Sequence, residues 1–159
     1  MVNSVSAPET LHLWIIFCDG SAYPNPGCMG IGAVLTEPGG TRHTLSQALH
    51  ASGCNNEAEL RALMAALREL KVRGATALLV YSDNSILVEQ LGSTSAKPVA
   101  RLAALFDEAR ALLTSFYQAR LKWLPRHRNG EADALARAAL GLAPKSASKP
   151  LKKSRKKTR

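Results

Sequence analysis

Cysteine is scarce in this chain. Its 159 residues hold three thiols, Cys18, Cys28 and Cys54, an odd number without CxxC or Cys/His zinc spacing. That argues against a disulfide framework and against a structural zinc site, and it favours a reducing, cytoplasmic compartment. Long apolar runs are also missing. A stretch such as "LWIIFC" falls far short of the roughly 20 residues that cross a bilayer, so no membrane association is expected. The opening "MVNSVSAPETLHL" lacks a basic segment followed by an apolar one, so no secretion signal is expected either.

Negative charge is absent from one stretch in particular. The formal charge is +9, from 21 Lys and Arg against 12 Asp and Glu, and "KSASKPLKKSRKKTR" at residues 145–159 carries eight of the cations and no acid. The remaining thirteen basic and twelve acidic residues leave a nearly neutral body. A cationic run with Ser, Pro and Thr cannot bury enough surface to fold, so it reads as a disordered arm. A solubilising tail is the plain reading. A polyanion-binding arm is the stronger one, and nucleic acid is the commonest polyanion.

What the chain does have is a regular alternation of apolar patterns. Leu11 to Cys18 is apolar at both parities, as for a central strand covered on two faces. "GIGAVLTEP" and "TRHTLSQALH" flank Gly39 and Gly40 and predict an antiparallel hairpin. Leu60, Leu63, Met64, Leu67 and Leu70 form a helical stripe that Gly74 ends. "ATALLVYSDN" reads as a buried strand, "SILVEQLG" as a short helix, and a longer amphipathic helix starts at Pro98 and runs through "SFY". "ARLKWLP" is the last strand and "NGEADALARAALGL" an alanine-rich helix. The order βββαβααβα implies a mixed, five-stranded α/β sheet with helices on its faces.

Asp19 and Asp83 hold comparable places, each directly after an apolar strand and before a turn or helix. In open α/β sheets ligands bind in the crevice outside the strand carboxyl ends. A lone carboxylate is costly to bury there without a partner, a donor or a metal. Both also have plain structural readings: Asp83 as the N-cap of the "SILVEQL" helix, and Asp19 as a turn residue held by backbone donors. Glu57 and Glu59 open the long helix about 200° apart, on opposite edges of the leucine stripe, so helical geometry leaves either free to face a site. Asn56 with Glu59 also resembles a capping box. Asp133, four residues after Asn129, reads equally as an acid favoured by the helix dipole.

Taken together, the flanks "FCDGS", "NNEAEL", "YSDNS" and "RNGEADALA" resemble the type 1 ribonuclease H family over roughly Leu11 to Leu142. "DGSAYPNPGCMGIGAVL" followed by "NNxxEL" and two later aspartates makes the resemblance specific. It implies a ribonuclease H-like fold in which Asp19, Glu59, Asp83 and Asp133 are the catalytic, metal-binding carboxylates. The resemblance, not periodicity, selects Glu59 over Glu57. Clustered carboxylates repel and raise one another's pKa, whereas magnesium offsets that charge and prefers oxygen ligands. The family pattern implies two Mg2+ ions, with Mn2+ as an alternative, and hydrolysis of the RNA strand of an RNA/DNA hybrid to 5′-phosphate and 3′-hydroxyl ends. The 2′-hydroxyl is what distinguishes RNA from DNA. By resemblance, Gly20, Ser21, Asn25, Asn55, Asn56 and Asn129 form the substrate contacts.

Two stretches depart from the family pattern. Family members often carry a mobile His before the last carboxylate, and His127 is the candidate here, yet only one residue separates it from Asn129. The alternative is a solvated His127 with Arg126 or Arg128 on phosphate. "LGSTSAKP" stands where many members have a basic handle that grips the hybrid, and the tail can compensate from the other end. The expected organisation is a flexible segment at 1–10, a catalytic domain at 11–144 and a basic tail at 145–159 that binds phosphates. A monomer is expected, and double-stranded RNA is the second substrate to consider. The competing readings are a catalytically silent nucleic-acid-binding module and another nuclease or transferase of the same fold.

Overall fold

The structure, a computed structural model, describes residues 12–92 and 100–144. The segments at 1–10 and 145–159, the helix start at Pro98 and most of "LGSTSAKP" lie outside those residues. Strands β1 (Leu13–Tyr23), β2 (Gly27–Thr36) and β3 (Arg42–Gly53) precede helix α1 (Asn55–Val72). Then come β4 (Ala77–Ser82), α2 (Ser85–Gly92), α3 (Ala103–Thr114), β5 (Gln118–Trp123) and α4 (Gly130–Ala139). The sheet order is β3-β2-β1-β4-β5. The β1–β2 and β2–β3 pairs are antiparallel, and the β1–β4 and β4–β5 pairs are parallel. This is the mixed five-stranded sheet of a ribonuclease H-like fold.

The hairpin between β2 and β3 turns at Gly40, whose φ of +103° suits a residue without Cβ. Helix α1 supplies most of one face of the core. Leu60, Leu63, Leu67 and Leu70 are fully buried and Met64 nearly so, packed with Trp14, Ile16 and Cys18 of β1. Burying each such side chain stabilises the fold by about 1.5–3 kcal/mol. Helix α3 stops at Thr114, three residues short of the apolar pattern that runs to Tyr117. The Ser115 hydroxyl donates to the Leu112 carbonyl at 2.6 Å, and Phe116 turns into the core.

Helix α4 covers the other face at one end only. It crosses β2 at Gly30 and Gly32, where a Cβ would lie 2.5 Å from the Ala136 and Ala132 carbonyl oxygens. Those glycines pair with Ser21 and Asp19. Ile15 and Phe17, farther along the same face of β1, are therefore only half-buried, which corrects the reading of β1 as a strand covered on both faces. Among the described residues no helix is long and apolar enough to cross a membrane.

Candidate active site

Asp19 does not end its strand. On one side β1 continues against β2 as far as Tyr23–Cys28, while on the other its parallel ladder with β4 stops at Phe17–Tyr81. The strand is thus paired on one edge and open on the other where Asp19 sits, and that opening is the crevice. Asp83 follows the last residue of β4 into the same gap. Glu59 arrives from the start of α1's second turn, because α1 lies directly on Gly20: a Cβ there would stand 2.5 Å from the Glu59 amide nitrogen.

Oxygens of Asp19, Glu59 and Asp83 all lie within 4.8 Å of one another. Asp133, in the first turn of α4, stands outside that triad but lines the same cavity of about 170 Å³, with Ser21, Tyr23, Arg126 and Arg137. Its approach follows from the glycine contacts of α4, whose Ala132 and Ala136 are fully buried against β2. Burial first, then the Asp83 charge, raises Asp19 from 3.8 to about 7, opposed by hydrogen bonds from Glu59 and from the Gly20 amide at 2.9 Å. Burial and the Asp19 charge push Glu59 well above the carboxylate range, with Arg126 opposing. Glu59 Oε1 is buried without a hydrogen-bond partner. A crowded, desolvated set of oxygens with one orphaned acceptor is what a divalent cation satisfies.

The capping roles open to Asp83 and Glu59 fall away. The cap of α2 is Asn84, whose Oδ1 accepts from the Leu87 amide at 3.1 Å, so Asp83 is free of capping. Asp83 instead accepts from Asn129 Nδ2 at 2.8 Å through Oδ2, and its carbonyl accepts from the Trp123 indole at 3.2 Å. Cys54 occupies the N-cap of α1 without a side-chain cap bond, so Asn56 and Glu59 form no capping box. Glu57 is paired with Arg61 at 2.9 Å, and Glu59 is the acid of this helix that joins Asp19 and Asp83.

The other candidates divide between rim and interior. Asn55 Oδ1 accepts from the Ala22 amide at 2.8 Å, and the Asn55 amide donates to Asn25 Oδ1 at 3.0 Å. Asn56 Oδ1 accepts from Asn84 Nδ2 at 2.9 Å. These bonds tie the β1–β2 turn and α2 to the start of α1, and all four asparagines line a neighbouring cavity of about 390 Å³. Gly20 serves helix packing, and Ser21 is half-buried at the carboxylate cavity. Asn129, read as a substrate contact, is only 1% exposed and bonds internally. His127 is exposed on the short turn Arg126–Arg128 and lines neither cavity, whereas Arg126 lines both. Sequence reading missed Asn84, Trp123 and Arg137. Only Asn84 carried a signal, since asparagine caps helices as well as aspartate does.

Known proteins resemble this chain in sequence and in fold. The profile of a family described as reverse transcriptase-like matches residues 17–139. The "Bifunctional protein Rv2228c" of Mycobacterium tuberculosis is 36% identical over 134 residues, covering 84% of this chain. This chain spans only 37% of that relative's length. The crystal structure of RNase H1 from the halophilic archaeon Halobacterium salinarum superposes with a TM-score of 0.76 at 30% identity, covering 81% of this chain and 98% of that one. LC11-RNase H1, isolated from compost by a metagenomic approach, was crystallised with an RNA/DNA hybrid. That complex superposes at a TM-score of 0.69 and 28% identity, covering 80% of this chain and 96% of its own.

Proposed function

This chain belongs to the ribonuclease H-like family, and from that premise we propose that it is an endoribonuclease that hydrolyses the RNA strand of RNA/DNA hybrids, leaving 5′-phosphate and 3′-hydroxyl ends. The observation that carries the reading is the triad itself: oxygens of Asp19, Glu59 and Asp83 within 4.8 Å, with Glu59 Oε1 buried and unpartnered. We assign Mg2+, with Mn2+ as the alternative, to Asp19, Glu59 and Asp83, with Asp133 completing the set. Held by these carboxylates, two such ions would supply an activated water and stabilisation of the leaving oxygen of the phosphodiester.

The chain's own residues would orient the substrate. Asn25, Asn55 and Asn56 use their Oδ1 atoms internally, and among the described residues no internal acceptor takes their Nδ2 groups. Those amides, with Ser21, are suited to the 2′-hydroxyls and backbone of the RNA strand. Arg126, which lines both cavities, is suited to a phosphate near the reacting one. His127, exposed on the turn Arg126–Arg128, would assist by exchanging protons with solvent. The basic tail at 145–159 would add phosphate contacts, and one chain carries every residue invoked. The hybrid in the LC11 complex supports the choice of substrate, and double-stranded RNA is the second one to try.

Incubation with labelled RNA/DNA, RNA/RNA, DNA/DNA and single-stranded RNA, in Mg2+, Mn2+ or EDTA, tests the proposal. Cleavage of only the RNA strand of the hybrid, abolished by EDTA, is expected. Binding without cleavage would mean a catalytically silent module, and DNA cleavage or strand transfer would mean another enzyme of the same fold.

A further inference from the structure

Three of the acid-bearing segments meet at Asn129. Its Nδ2 donates at 3.0 Å to the carbonyl of Cys18, the peptide leading into Asp19, and at 2.8 Å to Asp83 Oδ2. Its own carbonyl accepts the Asp133 amide at 3.1 Å. A peptide carbonyl only accepts, so the orientation of the side-chain amide is fixed: Oδ1 in place of Nδ2 would face two acceptors.

The residue stands where an asparagine ordinarily serves its own helix. It immediately precedes α4, and asparagine is among the best N-caps because its Oδ1 accepts from first-turn amides. Here the side chain makes no capping bond, and Oδ1 is buried without a partner. Forgoing a cap and orphaning an acceptor are both unfavourable, and sequences break such rules mainly at functional sites. With the residue 1% exposed and both Nδ2 protons engaged internally, a substrate contact is not what compensates.

We propose that Asn129 is the positioning residue of the carboxylate site, holding Asp83 by Oδ2 beside the Asp19 segment of β1 so that the other Asp83 oxygen is left for the cation. This rests on the cation reading of the triad given above. The need for such a strap follows from the ladder. The β1–β4 pairing stops at Phe17–Tyr81, two residues before each aspartate, so no backbone bond between the two strands sets the spacing of Asp19 and Asp83. A primary amide suits the task because it is neutral, does not compete with a cation for the acids, and offers two N–H groups in fixed relative directions.

The test compares full-length wild type with Asn129→Ala and Asn129→Ser. Calorimetric titration of Mg2+ into the protein without nucleic acid reads cation binding directly. Hybrid cleavage then gives the Mg2+ midpoint, and KM for the hybrid at saturating Mg2+. Asn129→Ala should weaken Mg2+ binding at least tenfold and raise the midpoint in step. KM should stay within about twofold, and kcat should largely recover at high Mg2+. Asn129→Ser, which keeps one donor, should fall between. A variant with lowered stability but an unmoved midpoint would overturn the proposal in favour of a structural role, and a raised hybrid KM would overturn it in favour of a substrate contact. Should the alanine variant fail to fold, the wild-type side-chain amide resonances of Asn129 decide. They should exchange slowly and shift with the Mg2+ midpoint, and rapid exchange or unmoved resonances would count against the strap. A wild type that neither binds Mg2+ nor cleaves hybrid overturns the cation reading and the strap together. A wild type that does both, matched by Asn129→Ala, overturns the strap alone.

Discussion

Gly20 and Glu59 are in backbone contact: a Cβ on Gly20 would stand 2.5 Å from the Glu59 amide nitrogen and nearer still to the Ala58 carbonyl. Helix α1 thus lies on β1 where the strand presents no side chain, and this brings Glu59 to the residue next to Gly20, Asp19. Gly20→Ala must push the helix away. The expected cost is about 1–3 kcal/mol of stability, as for an overpacked core, read by urea unfolding. Hybrid cleavage should drop more steeply than stability, because the triad opens. Unchanged stability would show that α1 shifts freely and that the contact does not set the site.

Asp19→Asn, Asp83→Asn and Glu59→Gln should each abolish Mg2+-dependent cleavage with the fold intact by circular dichroism. The amides keep the shape and lose the charge that would hold a cation. Glu57→Gln should remain close to wild type, since it loses only an i,i+4 pair with Arg61 worth about 0.3–0.5 kcal/mol. A dead Glu57→Gln beside an active Glu59→Gln would reverse the assignment.

Stability without metal should depend on pH with a defined sign. Asp19 is raised from 3.8 to about 7, and Glu59 is raised further, so above about pH 4 the folded protein holds protons that the unfolded chain has released. Stability should therefore fall as pH rises from about 5 to about 7 in EDTA. Asp19→Asn should flatten that fall. Mg2+ should restore it at the upper end, by about 1.4 kcal/mol at a tenfold excess over Kd. Thermal melts across pH, with EDTA or Mg2+, provide the measurement, and a wild-type curve that rises over this range would contradict it.

Arg126 and His127 are neighbours with different outlooks. Arg126 lines both cavities and His127 neither. Arg126→Ala should raise the hybrid KM roughly tenfold, as expected when one charge-assisted bond to phosphate is removed. His127→Ala should cost less than about tenfold in kcat. A drop of about 100-fold or more would place the imidazole in the proton-transfer step.

Ending the chain after Pro144 removes eight cations and none of the four acids. Chemistry at saturating substrate should survive, and binding should weaken. Each phosphate neutralised contributes about 0.9 to the slope of log affinity against log salt, so an arm that engages three or four phosphates accounts for roughly three units of slope, which truncation should remove. Titrations of both forms across a salt series measure it. Identical slopes would leave the tail as a solubilising segment.

Local patterns in the chain determined the elements, because burial periodicity needs only neighbours in sequence. The stripe from Leu60 to Leu70 specifies α1, Gly39–Gly40 the hairpin, and the alternation of strands and helices the mixed sheet. The flanks of the four acids carried the family. Where the cue was weak, reading failed. Past Cys18 the core-facing positions of β1 are Gly20 and Ala22, too small to show apolar alternation, so the run to Tyr23 was invisible. Asp83 and Asn84 cap equally well, and only the fold decides between them, by engaging Asp83 with Asn129 and leaving Asn84 to the helix. Tertiary structure alone brought Asp19, Glu59 and Asp83 within 4.8 Å. That proximity depends on where the β1–β4 ladder stops, on a helix resting on Gly20 and on an amide reaching across from the start of α4, contacts between residues far apart in the chain that no local pattern encodes.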